Sequence, residues 1–342
     1  MTMMTRWEMT GYGREALRLA EAERPQPGPG EVLVKVEAVS LNYRDTLIIE
    51  NGMGMRLAFP LVPGSDLAGT VAGLGAGVTR FRDGDRVLST FFPGWIDGRA
   101  PGNAKMLDGR ALGGAYPGVL ADYVALPADW LVAAPRTLDS GEASTLPCAG
   151  LTAWFALTEV SPLQAGETVL VQGTGGVSMF ALQIAKAKRA SVVVTSGSPD
   201  KLERALALGA DQGIDRTRED WVEAVHRLTG DRGIDHILEL VGGPHLGRSL
   251  EAVAVGGRIS VIGVFEGFEF SGSAGPLLMK NATIQGIRVG HRRAFEDFVR
   301  TVDEIGLKPV IDQRYRLADL PAALDHLQRG PFGKIVVEMD RG

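Results

Sequence analysis

TVLVQGTGGVSMFALQIAKAK, Thr168 to Lys188, is the stretch that decides the fold. A short apolar run leads straight into Gly173, Thr174, Gly175, Gly176, Val177 and Ser178, and a helical pattern follows. This is the layout of a dinucleotide fingerprint. The first glycine makes a tight turn, the second lets backbone approach a pyrophosphate, and the third lets the helix pack on its strand. Gly173 and Gly175 fill the first two places. Ser178 stands at the third, a small departure that a close-packed turn absorbs. The helix beginning near Gly176 and Val177 then offers free N–H groups to phosphates. Taken alone, such a loop can be a turn that binds nothing. Here SVVVTS, HILELV and RISVIGV continue the pattern, with helical stretches such as DKLERALALG and WVEAVHRLTG between them. Strands alternating with helices read as a parallel α/β sheet, and in that setting the loop reads as a nucleotide site.

The next strand bears on which nucleotide. A site for NAD wants a carboxylate at its end to accept the ribose hydroxyls. Thr195, Ser196, Gly197 and Ser198 stand there instead, with Lys201 just beyond. Hydroxyls and a lysine hold a 2′-phosphate that a carboxylate would repel. Asp200 is close by but opens the helix, where an acid is commonly a cap. The expected cofactor is NADPH, with Ser196 and Lys201 near its 2′-phosphate.

Upstream the texture differs. EVLVKVEAVS, DLAGTVAGLG, DRVLSTFF and YVALP are short β-like runs separated by PGPG, PG and DGD turns, and they read as an irregular all-β domain. FEDFVRTVDEIG and LPAALDHLQRG near the end look like amphipathic helices. The final strand GKIVVEM is expected to return to the first domain. The expected division is 1–128, 129–273 for the nucleotide domain, and 274–342 completing the first. With 36 basic against 41 acidic residues, a general nucleic-acid or anionic-membrane binder is not expected. No signal-peptide core opens the chain and no run is long and apolar enough to span a bilayer, so a cytoplasmic protein is expected. The single cysteine, Cys148, allows no intrachain disulfide.

GPGEVLVKVEAVSLNYRD, PLVPGSDLAGTVAGLGAGVTRFRDGDRV, PCAGLTAW, the glycine loop, GIDHILELVGG, GGRISVIGV and GPFGKIVVEM follow one another in this order. Together they resemble the medium-chain dehydrogenase/reductase superfamily, and more narrowly its zinc-free quinone oxidoreductase branch. The resemblance runs nearly the whole length. It implies a GroES-like catalytic domain, discontinuous in sequence, joined to a Rossmann domain, with the active site in the cleft between. It also implies that Thr152 faces the nicotinamide and that Gly263, in GGRISVIGV, belongs to the cofactor site. In the zinc alcohol dehydrogenases of the superfamily a cysteine, a histidine and a later cysteine hold a catalytic zinc. These positions fall at Asn42, Ser65 and Cys148. Asn42 and Ser65 are poor zinc ligands, and Asp66 with one thiolate makes a thin site. His226, His236, His245, His291 and His326 all lie late and none pairs at ligand spacing, so each is expected to be a surface or packing residue. No metal is expected, and Cys148 is expected to be a small packing residue lining the cleft.

Without a Lewis acid a simple ketone or alcohol is a hard substrate, whereas a quinone or α,β-unsaturated carbonyl carries its own electron sink. Such a small molecule is the expected partner, oriented over the nicotinamide with Asn42 and Tyr43 offering hydrogen bonds to the developing oxyanion. Arg44 and Asp45 are expected to form a local ion pair. The glycine-rich stretch from Phe91 to Gly118 is open between a cap on the cleft and a plain surface loop. RISVIGVFEGFEF is expected to supply an apolar sheet edge through which a homodimer forms. The rival readings are an alcohol dehydrogenase with an unusual metal site, an enoyl-thioester reductase, and a nucleotide-binding protein without turnover.

Overall fold

The computed structural model describes residues 2–106 and 108–339. It forms two compact units, Met1–Leu151 with Val289–Gly342, and Thr152–Arg288. No helix among the described residues is long and apolar enough to cross a membrane.

The second unit is built on the quoted strand. Thr168–Gln172 lies in a six-stranded, wholly parallel sheet, between Ser191–Ser196 and Ile234–Glu239. Gln212–Asp215 adds outside Ser191–Ser196, while Val253–Val261 and Thr283–Gly286 add outside Ile234–Glu239. Val169, Leu170 and Val171 are all buried, as expected of a parallel strand covered on both faces. Strand order reverses between Thr168–Gln172 and Ile234–Glu239. In an open α/β sheet that switch point is where the crevice for a ligand lies. The helix Gly176–Ala187 starts there and buries Met179, Phe180, Leu182 and Ile184.

The first unit carries a sheet running Ile311–Arg316, Lys334–Glu338, Glu31–Leu41, Asp66–Leu74, Arg86–Ser89, Leu131–Ala133, with Tyr123–Pro127 also paired to Glu31–Leu41. A separate antiparallel pair joins Met3–Met9 to Leu17–Glu23. The GKIVVEM strand lies antiparallel to Glu31–Leu41, with Ile335 opposite Leu41. This unit is not purely β. Asn42 caps a helix, Tyr43–Asn51, and its N–H donates to the Asp45 carboxylate at 2.8 Å. That is half of a capping box, an N-x-x-D pattern that outweighs the β-rich surroundings. LPCAG forms a π-helical turn, Leu146–Gly150, leading into Leu151–Trp154. Wide turns of this kind are frequent at functional sites.

The unit boundaries lie elsewhere than 128/129 and 273/274. Leu131–Ala133 pairs with Arg86–Ser89 and so belongs to the first unit. Thr283–Gly286 pairs with Val253–Val261 and so extends the second. For the same reason RISVIGV is not a sheet edge: Thr283–Gly286 covers it. The exposed phenylalanines Phe265, Phe268 and Phe270 follow that strand.

Candidate functional site

Two clusters stand out, one in each unit. In the second unit Gly173 has φ +76°, a conformation that side chains disfavour, and its N–H donates to Thr195 O at 2.8 Å, closing the turn. No side chain caps the helix that follows Gly175, so its first N–H groups are left to solvent or a ligand. A Cβ at Gly175 would meet nothing within 4 Å. Thr174 is buried, while Gly176 and Val177 are partly exposed on the first turn. Ser178 explains its own presence: its hydroxyl donates to Gln172 O at 3.0 Å, tying helix to strand where a glycine would only have left room. Gly263 has a different reason to be glycine. A Cβ there would come within 1.7 Å of Leu240 O, so the backbone approach of neighbouring strand ends demands it. Thr152 is buried in the helix Leu151–Trp154, where the second unit begins.

Ser196 is buried at the end of its strand, and its Oγ accepts from Ser198 N at 3.1 Å. Ser198 caps the helix that carries Lys201. Sequence reasoning missed Arg216. Its N–H donates to Ser196 O at 3.1 Å, and its guanidinium lies 3.4–3.6 Å from where a Cβ on Gly197 would sit. Only the pairing of Gln212–Asp215 with Ser191–Ser196 brings it there. Glu239 was also missed. Wholly buried at the switch point, it accepts from Gln172 Nε2 at 3.1 Å, His245 Nδ1 at 3.1 Å, Val241 N at 2.9 Å, Gly242 N at 3.0 Å and the Ser249 hydroxyl. Burial works to raise its pKa, but the hydrogen bonds from His245 and Ser249 and the backbone donors prevail and hold the carboxyl below its ordinary range. His245 is therefore a packing residue, stacked on Trp221, that also partners this carboxylate.

In the first unit four distant segments meet. Ser65 Oγ donates to Asp66 Oδ1 at 2.5 Å, and Cys148 N donates to Asp66 Oδ2 at 3.1 Å. The Asn42 amide also favours the charged form of Asp66, although Nδ2 itself makes no fully formed hydrogen bond. Lys334, 4% exposed, donates to Asn42 Oδ1 at 2.5 Å and to Leu41 O at 2.6 Å. Asn42, Ser65 and Cys148 are thus gathered in one place, and a lysine is gathered with them. A cation directly before the apolar run IVVEM was the one signal for it. Tyr43, by contrast, is 39% exposed, while its neighbour Asn42 is 8% exposed.

Burial pushes Asp66 up, opposed by Lys334, Asn42, Ser65 and the Cys148 N–H. Burial likewise pushes Asp45 up to about 6, against Arg44 and the Asn42 N–H. Arg44 lies 3.9 Å from Asp45. Burial, and then the charge of Asp66, pushes the Cys148 thiol well above its ordinary range, so the sulfur is a thiol and not a thiolate. Among the described residues no three His, Cys, Asp or Glu side chains are grouped to hold a metal ion. The Phe91–Gly118 stretch, of which Leu107 lies outside the described residues, is anchored beside this cluster at the following points. Arg44 donates to Leu112 O at 3.1 Å, and Gly118 N and Val119 N donate to Val62 O and Pro63 O, just ahead of Ser65. At its other end Trp95 and Ile96 carbonyls accept from Arg292 and Arg293.

Comparison with known proteins agrees with this architecture. Residues 28–136 match the alcohol dehydrogenase GroES-like domain, and residues 176–304 match the zinc-binding dehydrogenase family. A zinc-type alcohol dehydrogenase-like protein of Schizosaccharomyces pombe is 39% identical, with 97% of each chain covered. The quinone oxidoreductase of Rattus norvegicus is 29% identical over 95% of this chain and 94% of its own. The crystal structure of a putative alcohol dehydrogenase from Sinorhizobium meliloti 1021 superposes with a TM-score of 0.96 at 60% identity, covering 99% of both chains. With a GroES-like unit, a parallel nucleotide-binding unit and relatives along its whole length, the chain belongs to the medium-chain dehydrogenase/reductase superfamily and is an oxidoreductase that works with a nicotinamide cofactor.

Proposed function

We propose that this enzyme reduces a quinone or a conjugated carbonyl with NADPH and without a metal. The observation that carries the reading is the chemistry of the three gathered positions. Zinc wants three protein donors from thiolate, imidazole or carboxylate. Here the Asn42 amide oxygen is taken by Lys334 and the Ser65 hydroxyl is given to Asp66, which leaves only the Cys148 sulfur and the Asp66 carboxylate as donors of the kind zinc favours. These residues do not fit a zinc ion.

They do fit a carbonyl oxygen that gains charge. Asn42 Nδ2 is buried without a complete hydrogen bond, and an acceptor oxygen would compete with the Asp66 carboxylate for its hydrogens. Tyr43 beside it offers a phenol from a more exposed position. When bound, the reduced nicotinamide supplies the hydride. The acceptor's conjugated system receives that electron pair and delivers it to oxygen, where Asn42 and Tyr43 donate hydrogen bonds, and solvent supplies the proton. Donors aimed at developing charge act on the transition state and so raise kcat. The Phe91–Gly118 loop, pinned to Arg44 and the turn before Ser65, limits the size of acceptor admitted.

The cofactor rests on the backbone of Gly173, Thr174, Gly175, Gly176 and Val177, with Thr152 and Gly263 completing its pocket. Ser196, Lys201 and Arg216 give the preference for NADPH. We also propose a homodimer, for which the exposed Phe268, Phe270, Leu278 and Met279 near the edge strand supply apolar surface. Sedimentation finding only monomer at micromolar concentration would count against it.

The alcohol dehydrogenase names of several relatives keep a second reading in play, and one experiment separates the two. NADPH oxidation is measured with quinones, enones, aldehydes and enoyl thioesters, and NADP+ reduction with simple alcohols, on a sample whose metal content is known. The expected result is turnover with quinones or enones, unchanged by a chelator. Stoichiometric zinc with chelation abolishing turnover, or reaction with simple alcohols alone, replaces the reading with an alcohol dehydrogenase. NADPH binding with no turnover of any acceptor replaces it with a binding protein.

A further inference from the structure

We infer that Lys334 is the working positive charge of this site, a positioning residue that acts on the acceptor through the Asn42 amide. The inference rests on the reading of Asn42 as a donor to the acceptor oxygen.

Lys334 is anchored by register. Its strand pairs with Glu31–Leu41, Ile335 faces Leu41, and the side chain is thereby brought to the start of the helix that Asn42 caps. Taking a lysine out of water is costly, and an apolar residue of similar volume often fills such a place at no loss or even a gain in stability. Yet the two oxygens it meets directly, Leu41 O and Asn42 Oδ1, are neutral. Neither forms an ion pair with it, so the charge is not consumed by a local salt bridge. It acts on its surroundings instead, and both Asp66 and Asp45 register it.

The effect on Asn42 is specific. A lysine Nζ only donates, so the amide must present its oxygen to Lys334 and its NH2 away from it. An asparagine next to a neutral acceptor and donor could sit either way round. Beyond orientation, a cation on Oδ1 draws electron density through the amide and makes Nδ2–H a stronger donor, as hydrogen bonds in series polarise one another in a low-dielectric site. A neutral carbonyl in the ground state gains little from this, and an oxygen gaining charge in the transition state gains more. Lys334 therefore does at one remove what a Lewis-acid ion does by direct contact.

The test is a double-mutant cycle in the full-length protein with NADPH and a simple benzoquinone, comparing Lys334→Gln, Asn42→Ala and both together, with Lys334→Arg alongside. Glutamine keeps a donor and removes the charge. The expected result is a fall in kcat on the order of ten- to a hundredfold for Lys334→Gln. The quinone KM and NADPH affinity should stay near wild type, Lys334→Arg should recover most of the rate, and the double variant should be no slower than Asn42→Ala. Losses that multiply in the double variant, arginine no better than glutamine, or an effect seen in NADPH affinity instead of kcat would each overturn the inference while leaving the donor reading intact. Full activity in Asn42→Ala overturns both. If Lys334→Gln fails to fold by urea denaturation, the cycle runs on Lys334→Met, and the same outcomes decide.

Discussion

The glycine loop of the second unit and the Asn42–Lys334 cluster of the first do their work with different parts of the chain. The loop is backbone. The anion site proposed for it is the set of N–H groups at the start of Gly176–Ala187, and its side chains would matter mostly by being absent. The cluster is side chains, drawn from Leu41–Asn42, Ser65–Asp66, Cys148 and Lys334, and what it offers depends on which atom of each faces which neighbour. One site is contiguous over a handful of residues; the other spans almost the whole first unit. They therefore break in different ways.

The largest effect is expected at Gly175. It is the N-cap of its helix in an extended conformation, and a Cβ meets nothing within 4 Å. Aspartate is a favoured N-cap, so Gly175→Asp should fold as well as wild type. The same carboxylate occupies and repels the anion site. NADPH and NADH should both bind at least about a hundredfold more weakly, a loss of roughly 2.7 kcal/mol. Fluorescence titration with each nucleotide checks this. A stable variant with undiminished binding would mean that the loop is only a turn.

This contrast also governs what the sequence discloses. A backbone site leaves a local signature because glycines must stand at fixed offsets after a strand, and Gly173 and Gly175 do. The fold class follows from the same periodicity. The side-chain cluster has no such signature. Asn42 drew notice through family resemblance, and Lys334 sat in a quoted motif without a role, because its place depends on Ile335 pairing with Leu41 across nearly 300 positions. Arg216 and Glu239 were hidden for the same reason: strand order puts them beside Gly197 and Gln172. Boundaries erred where single short strands, Leu131–Ala133 and Thr283–Gly286, pair with sheets that local composition does not reveal.

Next in size is the proposed 2′-phosphate pocket, where the second unit would rely on side chains. Lys201→Ala and Arg216→Ala should each weaken NADPH about tenfold, toward the lower end of a charge-assisted hydrogen bond because these groups stand near solvent. NADH should be nearly unaffected. Equal losses for both nucleotides in either variant would remove that residue from the pocket.

Two buried carboxylates sharpen the comparison at smaller cost. The Asp45 pKa of about 6 lies above its ordinary 3.8, so between those values the folded state holds the proton more tightly than the unfolded chain does. Its contribution to stability is most favourable below about pH 4 and is lost as the pH rises through 6. Asp45→Asn keeps an oxygen for the Asn42 N–H and should be more stable than wild type at pH 8 by about 1–3 kcal/mol. Glu239 has the opposite sign. Its lowered pKa contributes stability above the ordinary 4.5, lost as the pH falls through the folded value, so Glu239→Gln should destabilise at pH 8. Urea midpoints from pH 4 to 8 read both, and parallel profiles for Asp45→Asn and wild type would contradict the account of Asp45.

The smallest effect is expected at Cys148, although it is the only thiol and stands in the middle of the cluster. What position 148 gives to the site is its backbone N–H, which donates to Asp66 Oδ2 from within the π-helical turn. Any residue that keeps the turn supplies that donor. The sulfur is held as a thiol by burial and by the nearby Asp66 charge, which leaves it a poor nucleophile. Serine is slightly smaller and more polar, and in a partly buried place it should cost about 1 kcal/mol of stability at most. Cys148→Ser should keep kcat within about threefold of wild type, and alkylating reagents should label the native protein slowly because the thiolate is scarce. A tenfold or greater loss of kcat in a stably folded Cys148→Ser, or rapid labelling at neutral pH, would show a thiolate at work and reopen the case for a metal held by the first unit.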